Sequence, residues 1–265
     1  MNLNSFSCPS YTGDEVFLLV KDKGLSFEEI YQNPNSIVDF ALLLKNNVHR
    51  EYCYLPFCHT VEAESMGAHI IPGDESAGAR AGGYFCTSFE ELMKAKIRYN
   101  ENLRICKMLN ACSILKSRGE QIIYTLSGPL SIINCLADSK VLFKTWRKDE
   151  ALVKELFDNL LNQLTLYSIK IFESGADIIS YADPAGTFDI LGPKYSEYIS
   201  KNFTVPLLKK LSEICDKEQS VFICPITVRS LVKSELVSVG DYSGENIYVA
   251  CSKSLRDKKI SIKLK

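Results

Sequence analysis

This sequence predicts an α/β fold, with repeated strand–helix units around a parallel sheet. Four short apolar runs, Tyr52–Phe57, Gln121–Leu126, Asp177–Ala182 and Ser220–Cys224, each end at or just before small, polar or sulfur-bearing residues with a proline close by. Long stretches of helical character separate these runs, the alternation that marks βα units. The length, 265 residues, is enough for one α/β barrel, so residues 1–265 are read as a single domain.

The third run is the clearest. Ala176 to Ala182 is apolar and β-prone, as a strand covered on both faces should be. Asp183 follows, then Pro184, which cannot donate to a ladder, and then Gly186. Asp183 is thereby expected at a strand's C-terminal end, where α/β folds place their chemistry. The other runs end comparably, in Cys58-His59-Thr60, Ser127-Gly128-Pro129 and Cys224-Pro225.

Composition narrows the function. Hydrophobic residues make up 46 % of the chain and the net charge is −1, an ordinary soluble globular balance. No basic patch of the size nucleic-acid binding needs is present. No apolar run reaches a membrane span and Met1 is not followed by a signal peptide, so a cytoplasmic location is expected. Ten cysteines with no C-x-x-C spacing read as mostly reduced core residues rather than a disulfide framework.

In chain order, a first strand is expected around Leu3–Ser7 and a helix over Asp14–Lys21. Ser26 with Glu29 fits a capping box, and Pro34–Asn47 carries a helical apolar face. The Gly/Ala-rich stretch from Pro72 to Gly83 has no core pattern and is long for a compact domain, which suggests a lid or substrate loop. A second capping box, Ser88 with Glu91, opens a helix expected to run to about Arg118 before Gly119. Pro129–Leu136 starts another helix. Val141–Ser174 is expected to be helical, with Leu152, Leu156, Phe157, Leu160, Leu161 and Leu164 in one stripe. Tyr195–Lys217 is helical with a break near Pro206. Only 26 residues separate Cys224 from Cys251, too few for two βα units of roughly 30 residues each. Asn246–Cys251 and Lys259–Leu264 look like two strands joined by a charged turn, a hairpin.

The stretch Leu55-Pro56-Phe57-Cys58-His59-Thr60-Val61-Glu62-Ala63-Glu64-Ser65-Met66-Gly67 resembles the second-strand motif of the uroporphyrinogen decarboxylase superfamily. It is most similar to the branch of cobalamin-dependent methyltransferases that pass a methyl group from a corrinoid protein to a thiol such as coenzyme M. Ser127-Gly128-Pro129 and Ala182-Asp183-Pro184 match two further strand ends, and Phe222-Ile223-Cys224-Pro225 lies where the branch has His-x-Cys-Gly. The resemblance spans about residues 10 to 225. It implies a TIM-barrel-like (β/α) barrel, here short of the family's sixth and seventh strands and ending in a β-hairpin. It also implies zinc that activates a small thiol, and a corrinoid cofactor carried by a partner protein that docks at the barrel mouth. A barrel with open edges would invite a homodimer.

The departures shape the candidate residues. Phe222 stands where the zinc-binding His is expected, and Phe cannot ligate. Cys224 remains as a metal ligand or a buried reduced thiol. His59, at another strand end, is the replacement ligand or a structural His bonded to a loop carbonyl. Cys251 is a third possible ligand or an ordinary strand residue. Glu62 is a metal contact or proton acceptor, or, like Glu64, a helix first-turn acid that suits the dipole. Asp183 binds substrate or orients a ligand, or caps the following turn. Along a strand Cys58 and His59 should point apart, so one of them is expected to face the mouth. His49 and His69 carry no usable pattern. The leading function is methyl transfer between a corrinoid and a zinc-activated thiol. Two alternatives stand beside it. A tetrapyrrole decarboxylase would need arginines at the mouth, where the sequence offers only Arg80. A non-catalytic corrinoid- or tetrapyrrole-binding protein would fit the change at Phe222.

Overall fold

The computed structural model describes residues 13–47, 51–74, 77–101, 103–250 and 260–265. Helices α1 (Gly13–Asp22), α2 (Phe27–Gln32) and α3 (Pro34–Asn47) lead into strand β1 (Cys53–Leu55). Ser26 caps α2 by accepting the Glu29 N–H at 3.4 Å. After β1 come α4 (Val61–Ser65), a small hairpin of β2 (Ile70–Ile71) and β3 (Arg80–Ala81), α5 (Phe89–Lys94) and α6 (Leu103–Ser117). Strand β4 (Ile122–Ser127) is followed by α7 (Pro129–Leu136), α8 (Ser139–Lys148) and α9 (Glu150–Glu173). Strand β5 (Ile178–Ala182) leads through a 3-10 turn at Pro184–Gly186 into α10 (Phe188–Ile199), a π-helical turn at Ser200–Thr204, and α11 (Val205–Ile214). The chain closes with β6 (Ser220–Ile223), α12 (Pro225–Lys233), β7 (Val237–Gly240), β8 (Ile247–Val249) and β9 (Ile260–Leu264).

Among the described residues, seven strands form one sheet in the order β1-β4-β5-β6-β8-β9-β7. The first five run parallel, with Leu55 opposite Tyr124, Thr125 opposite Ser180, Ser180 opposite Phe222 and Phe222 opposite Tyr248. Every residue of β4 and β5 is buried, which is why these segments read as unbroken apolar runs. The four strands expected from the sequence are therefore present, parallel and adjacent. The C-terminal hairpin is present too, as β9 runs antiparallel to β8 with Val249 opposite Ile260. Strand β7 adds antiparallel to the far side of β9. The strand expected at Leu3–Ser7 lies outside the described residues. Among the described residues no helix is long and apolar enough to cross a membrane.

Several expectations need correction. The helix expected from Ser88 to Arg118 is two helices. The Ser88 capping box opens α5, but Ala95 turns extended and Ile97 donates its N–H to Gln163 Oε1 at 2.7 Å, so a tertiary bond replaces the helical one. Val141–Ser174 is also split. Asp149 ends α8 and caps α9, its carboxylate accepting the Leu152 N–H at 3.2 Å. Leu152 itself, in that first turn, is 40 % exposed and stands outside the buried stripe of Leu156, Phe157, Leu160, Leu161 and Leu164. The break expected near Pro206 is the π-helical turn just before it. Strand β7 had no counterpart in the sequence reading, and the loop from Pro72 to Gly83 is anchored by Ile71 pairing with Arg80.

Packing around the sheet fixes where the strand ends sit. The single tryptophan, Trp146, is buried among Phe143, Phe157, Tyr195 and Tyr198, with ring centroids 4.8 to 5.9 Å apart. Behind the sheet, the Tyr124 and Tyr167 hydroxyls meet at 2.6 Å, so each buried phenol finds a partner.

Candidate active site

Because β1, β4, β5 and β6 are parallel, the residues that follow them gather at one end of the sheet. His59, Ser127, Asp183 and Cys224 all stand there. This is the end where α/β folds bind ligands.

Asp183 is 2 % exposed and ties two units together. Its Oδ1 accepts from the Ser131 N–H at 2.9 Å and the Ser131 hydroxyl at 2.7 Å, and its Oδ2 accepts from the Leu130 N–H at 3.3 Å. It thus caps the first turn of α7, one unit away, while its own carbonyl accepts the Gly186 N–H at 3.0 Å in the turn that follows. The carboxylate suits the positive end of that helix. Burial nevertheless pushes its pKa up to about 6, with the Ser131 and Leu130 bonds pulling the other way. Glycine at 128 is required by this arrangement. A Cβ there would fall inside contact distance of Asp183 Cβ and 2.7 Å from the Tyr181 hydroxyl.

Glu62, in the first turn of α4, is 1 % exposed. Its Oε1 accepts the Ser127 N–H at 3.0 Å. Burial raises its pKa, and the Ser127 backbone bond offsets part of that rise. Glu64, the other acid of the motif, pairs with Arg104. Arg104 is 2 % exposed, also donates to Thr60 Oγ1 at 3.3 Å and to Cys58 Sγ at 2.8 Å, and lies 5.0 Å from the Tyr31 ring centroid. Sequence reasoning missed Arg104. It sits one helical repeat before Met108 on the buried stripe of α6, and an arginine in such a stripe is the signal that was available.

A cavity of about 570 Å³ opens at this end. Its walls are largely aromatic, from Phe17, Phe27, Tyr31, Tyr54 and Phe57, and its polar edge includes Cys58, His59, Thr60, Thr125 and Ser131. The size and mostly apolar lining are typical of a small-molecule site. Cys58 and His59 both line it, contrary to the expected alternation. Strand β1 ends at Leu55, so period-two geometry no longer governs residues 58 and 59. The stretch Ala77–Ala81 covers one side of the cavity, in keeping with a substrate loop. Arg80 within it is paired to Asp74.

Asp183 and Glu62 are not part of the cavity lining; they lie behind it. Cys224 is half-buried as the N-cap residue of α12 and is also absent from the lining. Phe222 is fully buried, its ring edge-on to Tyr248 at 6.2 Å. Among the described residues no group of three or more His, Cys, Asp or Glu side chains is placed to hold a metal ion. His59, Cys224 and Glu62 therefore do not fit zinc as a trio. Cys251 lies outside the described residues.

Comparison with known proteins accords with this layout. Residues 17–235 match the uroporphyrinogen decarboxylase (URO-D) family. Over 220 residues the chain is 25 % identical to the methylcobamide:CoM methyltransferase MtaA of Methanosarcina barkeri, covering 81 % of this chain and 63 % of that protein. It is 25 % identical over 192 residues to the methylcobamide:CoM methyltransferase MtbA of Methanosarcina mazei, covering 71 % of this chain and 56 % of that protein. A solved methyltransferase from Methanosarcina mazei superposes with a TM-score of 0.68 at 23 % identity, over 83 % of this chain and 65 % of that one, which is a likeness of fold. The chain spans less than two thirds of the length of these relatives.

Proposed function

The chain belongs to the uroporphyrinogen decarboxylase family, and from that membership we propose that it moves a methyl group between a corrinoid carried by a partner protein and a thiol bound in the cavity beside His59. The observation that carries the proposal is the cavity at the C-terminal ends of the parallel strands, walled by aromatic rings and edged by an imidazole. The names of the two curated relatives supply the reaction class and the thiol.

A thiol must lose its proton before its sulfur attacks carbon, and the His59 imidazole on the cavity wall is the base this reading assigns to take it. The corrinoid would supply the methyl group. Asp183 and Glu62 act from behind the wall, by fixing α7 and the end of β4. No step is assigned to zinc, because the described donors do not fit it. Of the set His59, Cys224 and Cys251, the two cysteines come from the family resemblance and His59 from its place at another strand end of the same mouth. Metal analysis of protein purified without added zinc tests that set. One equivalent that disappears in both His59→Ala and Cys224→Ala supports it, and a metal-free wild type overturns it.

The test of function is methyl transfer from methylcobalamin to coenzyme M, followed as thioether formation. Wild type is expected to turn over, and His59→Ala to lose roughly 10²-fold or more. One observation favours a second reading, a non-catalytic corrinoid- or tetrapyrrole-binding protein. Phe222 is locked into the core where the resembling branch carries a ligand. Folded protein that binds cobalamin but transfers no methyl group would establish that reading over the first. A tetrapyrrole decarboxylase fits less well, since Arg104 is committed to Glu64, Thr60 and Cys58 and Arg80 to Asp74.

A further inference from the structure

We propose that Arg104 is a positioning residue for the cavity: its guanidinium fixes the segment that carries His59, and with it the place of the imidazole on the wall. The part of that imidazole as a base rests on the methyl-transfer reading; its placement by Arg104 does not. Arg104 is 2 % exposed, in the first turn of α6, and stands behind the cavity wall. Three residues that form the wall are its partners. Nη2 donates to Cys58 Sγ at 2.8 Å, Nη1 donates to Thr60 Oγ1 at 3.3 Å, and Cζ lies 5.0 Å from the Tyr31 ring centroid. Cys58 and Thr60 flank His59 directly, so one planar group holds the chain before and after the imidazole. Glu64 pairs with the same Nη1 and anchors the guanidinium from α4.

Two local features support this role. Strand β1 ends at Leu55, so sheet pairing does not reach residues 58–60 and tertiary bonds must hold them. Thr60 is the N-cap residue of α4, where a threonine hydroxyl ordinarily accepts a helix N–H. Here the hydroxyl makes no such bond and receives the guanidinium instead. The local structure gives up a helix cap and ties the His59 segment to α6. An arginine suits that task because its rigid fork donates in two directions at once, which the point charge of a lysine cannot do.

The experiment is NMR of the full chain carrying ring-13C histidine. The chain has three histidines, and His59→Gln assigns the signal of interest. In the wild type the His59 ring is expected to give one signal that relaxes with the folded chain, against the exposed His69 as reference. Arg104→Met should lose that single signal by splitting or broadening while His69 is unchanged, and Arg104→Lys should restore part of it. In the methyl-transfer assay Arg104→Met should lose up to about 100-fold in kcat, the scale that misplacing a reacting group by an ångström costs. A wild type that transfers no methyl group would refute His59 as the base and leave the ring signal to decide this proposal. A His59 ring as mobile as His69 in the wild type would overturn the proposal, and that measurement needs no variant. A folded Arg104→Met chain with the wild-type His59 signal would overturn it equally. If Arg104→Met does not fold, Thr60→Val decides: it removes only the hydroxyl, and a disturbed His59 signal supports the proposal while an unchanged one overturns it.

Discussion

Replacing Asp183 with Asn isolates the cost of holding a carboxylate in a dry site. In the folded chain Asp183 takes up its proton at about pH 6, against 3.8 for a free carboxyl, because burial disfavours the anion. The folded state therefore binds more protons than the unfolded one between those values, so stability falls as pH rises. The favourable contribution is complete below about pH 4 and is lost as pH climbs through about 6. A little over two decades in proton affinity, each about 1.4 kcal/mol, amount to about 3 kcal/mol, of which about 2 falls between pH 4.5 and pH 8. Asn keeps an oxygen for the Ser131 N–H and hydroxyl, loses the 3.3 Å bond from the Leu130 N–H at about 1 kcal/mol, and does not ionise. The assay is urea unfolding followed by the fluorescence of the single buried tryptophan, Trp146, at a series of pH values. Relative to wild type, Asp183→Asn should gain about 2 kcal/mol on going from pH 4.5 to pH 8. A difference that stays flat over that range would refute the assignment of the pH dependence to Asp183.

Other changes have equally direct readouts. Gly128→Ala drives a methyl group into Asp183 and the Tyr181 hydroxyl and should cost about 1–3 kcal/mol, seen as a lower urea midpoint. Glu62→Gln removes a carboxylate whose pKa burial has raised, so its stability should decline less with rising pH than that of wild type in the same titration. Trp146→Ala should destabilise by about 3–5 kcal/mol, measured by circular dichroism because the fluorophore is gone.

The sequence disclosed the parallel strands because both of their faces are covered. Runs such as Ile122–Ser127 and Ile178–Ala182 carry no polar alternation to confuse with a surface strand. It disclosed the terminal hairpin through two apolar segments around a charged turn. It did not disclose β7, whose residues are only partly buried after Val237 and whose partner β9 is distant in sequence. Helix breaks at Ala95 and Asp149 were hidden for a related reason. A glutamine 66 residues away decides the first, and one aspartate serves as both stop and start at the second. At the site, the strand-end rule located His59 and Asp183 at the right edge but could not say which lines the cavity. That depends on where β1 stops and on the capping of α7 by Asp183, both of which are tertiary facts.

The division of labour at that edge follows from what each residue type tolerates. Asp183 and Glu62 are carboxyl groups in dry surroundings, and each is held there by backbone N–H donors at the start of α7 or the end of β4. Moving either into the cavity would leave those donors buried without acceptors, at about 1–3 kcal/mol each. Cys58 and His59 carry no such obligation to the backbone ladder, because the strand has already ended at Leu55. Both line the cavity, and Arg104 donates to the Cys58 sulfur at 2.8 Å. The acids thus build the wall, and the residues just past β1 face what enters it.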